Sequence, residues 1–125
     1  MIKCIVSIVC ATIILVVGAV FENIYVQNNF KEFHSVLEVL YEKIDTEVAT
    51  QDDVYAVQQN WLSKKKVLHA FIPHNEIKEV DLWLSESATL VRDKEWKDAI
   101  SKVEVLKELA EQIPRTFMIT LDNIL

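Results

Sequence analysis

The sequence predicts an all-α protein, an N-terminal transmembrane helix followed by a small four- to five-helix bundle. Three observations carry that prediction. Residues 2–21 form an apolar run with a single charge, Lys3. The 125-residue chain has one Gly and two Pro, too few for a fold built on hairpin turns. Beyond residue 21, apolar side chains recur every three or four positions, the period of a helix face.

The apolar run comes first. At about 1.5 Å per residue its twenty positions span roughly 30 Å, the hydrocarbon thickness of a bilayer. Lys3 and the amino terminus put positive charge before the run. Glu22 follows it, and the next basic residue is Lys31. The positive-inside rule then puts the amino terminus in the cytoplasm and the rest of the chain outside, as a single-pass protein of the cell membrane. A cleaved signal peptide with Val17, Gly18 and Ala19 at its cleavage site is the alternative. The run exceeds the usual signal core, which favours a retained anchor over residues 1–22 and an extracytoplasmic helical domain over 23–125. Cys4 and Cys10 lie inside the run on different helix faces and cannot bridge each other.

The first domain helix is expected along Val26, Phe30, Phe33, Leu37, Leu40, Ile44 and Val48. Only Gln27, Asn28 and Asn29 separate it from the anchor, and none of them is a helix breaker, so the two can run together. Thr50 reads as an N-cap with Asp52 and Asp53 in the first turn of a second helix. That helix carries Val54, Val57, Trp61, Leu68 and Phe71, with Lys65 on the same stripe. The chain turns at Pro73, and His74 and Asn75 are expected to cap a third helix lined by Ile77, Val80, Leu84, Ala88 and Val91. Asp93 is expected to cap a fourth, bearing Trp96, Ala99, Ile100, Val103, Leu106, Ala110 and Ile113. Pro114 suits the first turn of a last short helix that buries Phe117, Leu121 and Ile124.

Composition narrows function mainly by exclusion. Twelve of the thirteen Lys and Arg and all nineteen Asp and Glu lie after residue 21, so the domain carries a formal charge of −7. That balance argues against nucleic acid as a partner. Scarce glycine excludes phosphate and dinucleotide loops, and no small-molecule substrate or cofactor is indicated. His34, His69 and His74 stand in no metal-ligand spacing, and the domain has no cysteine. No serine sits in a nucleophile context. Catalytic, cofactor-binding and metal residues are therefore all read as none, and the protein as not an enzyme. Carboxylates fall at solvent-face spacings, with Glu111 four residues after Lys107.

One group of residues carries a family likeness: a single anchor, Trp61 followed by Lys64 and Lys65, the run His74, Asn75, Glu76, Ile77, and a closing Asn123 and Ile124. In these the chain resembles the DUF4363 family of small bacterial membrane proteins. The resemblance implies an all-helical, membrane-attached protein, and makes His74 and Asn123 recurrent positions that would meet. It implies no activity and no ligand.

Two function classes remain. The favoured one is a non-catalytic interaction or accessory module for a membrane or envelope protein. Its candidate contact residues are Lys64, Lys65 and Lys66, the only concentrated positive charge on the domain, together with His74. The alternative is a ligand sensor or an enzyme accessory subunit with a pocket near the His74 turn.

Overall fold

The computed structural model describes residues 1–124. They form four helices and no strand: α1 Ile2–Asp45, α2 Gln51–Leu68, α3 His74–Arg92 and α4 Trp96–Ile124. Each helix packs on its neighbours in chain order, and α4 closes the square against α1. The domain is thus an up-down-up-down four-helix bundle. Its first helix is also the apolar run.

That run and the first bundle helix are one element of 44 residues, about 66 Å long. Residues 2–18 are exposed on every face, and the apolar window is long enough to cross a membrane. Further along, Val26, Phe30, Phe33, Leu37, Leu40 and Ile44 are buried at the expected spacing. The polar seam between the halves is locked. Gln27 Nε2 donates to Asn23 Oδ1 at 3.3 Å and to the Pro114 carbonyl at 2.6 Å, and Asn29 Nδ2 donates to the Tyr25 carbonyl at 2.8 Å.

The expected stripe overran at Val48, which is 62% exposed. The helix has already ended. Glu47 adopts φ 59°, with its N–H bonded to the Ile44 carbonyl and the Val48 N–H bonded to the Lys43 carbonyl. This is a Schellman cap. Ala49 is buried in Val48's place. The same motif recurs after α3, where Lys94 has φ 57° and Lys94 and Glu95 donate to Val91 and Leu90. Asp93 therefore ends α3 rather than capping α4, and its carboxylate accepts from Arg92. Both turns are made without glycine, at a conformational cost on the order of 1 kcal/mol each.

Two further expectations are corrected at helix ends. Pro73, not His74 or Asn75, is the N-cap of α3, and no side chain bonds into it. Pro114 does not open a fifth helix, because α4 runs through it to Ile124. A proline inside a helix forfeits one backbone bond and costs about 3 kcal/mol in isolation. Here its ring is buried and its own carbonyl is held by Gln27, so packing against α1 carries the helix past it.

The core centres on Trp61. Its ring lies 4.9 Å from Phe33 and 6.0 Å from Phe30, centroid to centroid, which joins α2 to α1. Its Nε1 donates to Asp81 at 2.8 Å, which joins α2 to α3. At the far end of the bundle, Thr50 and Asp53 form the expected cap as a reciprocal capping box, and Lys43 bonds Asp53 at 2.8 Å.

The hydrogen bond from Lys43, then that from the Thr50 backbone, hold the Asp53 carboxyl below the usual aspartate range. A depressed folded-state pKa adds stability above the unfolded value, and that stability is lost as pH falls through the folded value. Asp53→Ala should therefore cost about 1 kcal/mol near neutrality. The gap from wild type should narrow below about pH 4. Urea unfolding of detergent-solubilised protein, followed by tryptophan fluorescence, measures both.

Candidate interaction surfaces of the bundle

The three consecutive lysines are split by helix geometry. Buried positions on α2 are Val54, Val57, Trp61, Lys64 and Leu68, so Lys64 rather than Lys65 occupies the core stripe. Its side chain is only 8% exposed and its amine reaches outward to Glu32 of α1 at 3.1 Å. Lys65 lies one step round the helix and pairs with Asp81 of α3 at 2.7 Å. Lys66 is exposed, with no carboxylate partner among the described residues. The expected cationic face is therefore not formed. Two of its three charges are spent joining α2 to its neighbours.

Around Lys66, the outward side of α2 is mixed. Tyr55 is 60% exposed and Leu62 46%, and with Lys66 they fall on one helical strip. A furrow of about 280 Å³ beside Leu62 separates α2 from α3 and exposes the rim of the Trp61–Asp81 pair.

His74 is exposed and stacks on His69 across the Pro73 turn, with ring centroids 5.7 Å apart. Glu76, half-buried one turn into α3, has its carboxyl pushed above the usual range by burial and then by Glu79. A large groove lies elsewhere, between α1 and α4. No three His, Cys, Asp or Glu among the described residues converge as a metal site. Nor does His74 meet Asn123. Lys102 pairs with Glu86 across α3 and α4, and that antiparallel register puts His74 level with about residue 114. Asn123 is about 13 Å further along.

Sequence reasoning missed this overshoot. α4 has 29 residues against 19 in α3, so its last two turns extend past the α2–α3 loop with only α1 beside them. Phe71 of that loop marks the level, packing 6.3 Å from Tyr25 and 6.4 Å from Phe117. On the bundle side of that level, a groove of about 620 Å³ runs between the two helices. Lys31 and Arg115 line it without a carboxylate partner among the described residues. His34 Nε2 also faces Glu111 there, at 3.1 Å, but without hydrogen-bond alignment. Lys107, expected beside Glu111 on its own helix, instead reaches Glu38 and the Tyr41 ring. Met118 belongs both to this groove and to a smaller one lined by Ala19, Val20, Asn23, Leu121 and Asp122. One furrow thus continues into the apolar run.

One comparison with known families bears on the bundle. The model for the domain of unknown function DUF4363 matches residues 20–124. The chain belongs to the DUF4363 family. The match takes in the whole bundle and begins at the last turn of the apolar run, so the DUF4363 unit includes the junction where α1 enters the domain. No curated protein and no solved structure matches the chain.

The division of the lysines gives a direct test. Lys64→Glu would set two carboxylates together at a nearly buried site and should cost about 1–3 kcal/mol in urea unfolding. Lys66→Glu on the exposed strip should change stability by less than about 0.5 kcal/mol.

Proposed function

We propose that this DUF4363 protein is a non-catalytic interaction module. A retained membrane helix would hold it in the cell membrane with its amino terminus in the cytoplasm, and its bundle would serve a membrane or envelope protein on the outer side. The observation that carries this reading is the continuity of α1. The helix that is exposed and apolar over residues 2–21 becomes the buried backbone of the bundle without a linker. A domain mounted so rigidly holds a fixed height and orientation over a bilayer, which suits docking to a neighbour in the same membrane. Lys3 before the run and Glu22 after it favour the orientation.

The outward strip of α2, with Tyr55, Leu62 and Lys66, is the preferred docking face. It combines exposed apolar area with an unpaired cation on a negative domain. Screening over about 8 Å limits that cation to a directly apposed acidic group. The reading narrows the lysine cluster to one member and adds the two apolar side chains beside it.

A membrane-impermeant amine crosslinker on intact cells tests orientation and face together. The domain should react from outside and trap one stoichiometric partner. Leu62→Asp combined with Lys66→Glu should abolish the adduct while circular dichroism stays helical. A domain that reacts only after lysis contradicts the orientation, and an adduct unchanged in the double variant contradicts the face.

A further inference from the structure

We infer that the last two turns of α4 are themselves a membrane-contacting element, lying in the headgroup-to-acyl boundary beside the spanning helix. This deepens the anchor reading above and rests on it. Three observations converge on lipid as the occupant.

The first is register. Leu121 and Asp122 lie against Ala19 and Val20, and the antiparallel pairing that begins at Gln27 and Pro114 carries Ile124 level with about residue 17. That is roughly 6 Å inside the end of the apolar run at Phe21. If residues 2–21 cross the bilayer, the end of α4 cannot stay clear of it. The second is composition. Residues 116–124 hold one charge, Asp122, whereas the domain at large is densely charged. The third is exposure. Met118, Ile119 and Ile124 are 40%, 52% and 74% exposed, on a stretch where α1 is the only neighbouring helix.

Asp122 sets the depth. It is exposed at the rim of the furrow with Asn23, level with about residue 19, and a carboxylate there is tolerable at headgroup level but not in hydrocarbon. Interfacial helices sink about 5–10 Å, which matches the overlap in register. Tyr25, Phe71 and Phe117 then fall in the headgroup layer, where aromatic rings are favoured. The bundle stands on two feet, one spanning and one resting in the interface.

Spin-label accessibility in phosphatidylcholine vesicles tests this with the full chain. Cys4 and Cys10 are replaced by Ala, and single cysteines are introduced as Ile13→Cys, Ser85→Cys, Ile119→Cys and Ile124→Cys. Labels at 119 and 124 should lose access to a water-soluble nickel chelate while keeping access to oxygen, as the label at 13 does and the label at 85 does not. Positions 119 and 124 open to nickel, with 13 still protected, would overturn the inference and leave the anchor intact. Protection of 119 and 124 from both reagents would mean a protein surface covers them, and would also overturn it. A label at 13 open to nickel would remove the anchor reading itself, and this inference with it.

Discussion

From Ile5, whose N–H bonds the Met1 carbonyl, the hydrogen-bond ladder of α1 runs on to Asp45, and nothing between residues 21 and 30 opens it. The rest of the structure depends on that ladder. A helix turning 100° per residue keeps the relation between its faces along its whole length, so the side of residues 2–21 that lies over α4 is fixed by how Val26, Phe30 and Phe33 pack. The bundle cannot swivel on the apolar run without breaking backbone bonds. Asn23, Asn28 and Asn29 are weak helix formers and would otherwise read as a hinge. Side chains there close it instead, since Gln27 binds across to Pro114 and Asn29 binds back along its own helix.

Polar groups in this domain act mainly to register helices. Trp61, Asp81 and Lys65 form one chain of bonds from α2 to α3, while Lys64 and Glu32 tie α2 to α1. Such pairs add little net stability when partly exposed, but a shift of one turn would break them all at once. They help to specify one arrangement among helices whose apolar stripes alone are similar. The charge used this way is not available to a partner, which is why the surface beside the lysine cluster matters more than the cluster.

The four helices of the bundle and most of the core were legible in the sequence, though not the absence of a fifth helix, because the three- and four-residue spacing of Val26 to Ile44, and of Ala99 to Ile113, is a direct image of a buried face. Reading Lys65 onto the α2 stripe in place of Lys64 was an error of one position, because three and four residues after Trp61 are both helical spacings. The spacing 54, 57, 61, 64, 68 already pointed to Lys64, whose long stem can be buried while its amine reaches out. Helix ends were less legible. Two left-handed caps use Glu47 and Lys94 where glycine is the usual signal, and Pro114 sits within a helix that packing sustains. The overshoot of α4 was invisible locally, since it follows from the relative lengths of two helices and the register between them. Membership in DUF4363 was readable from short motifs, although His74 and Asn123, which the resemblance was taken to bring together, stand far apart in the fold.

The central claim is that one unbroken helix carries the bundle on the membrane. Hydrogen exchange at amides 22–29 in lipid-reconstituted protein tests it most directly, because helical hydrogen bonds there either persist or do not. The account predicts protection continuous with that of amides 30–44. Exchange of residues 22–29 at rates near those of an unstructured chain, between two protected segments, would contradict it.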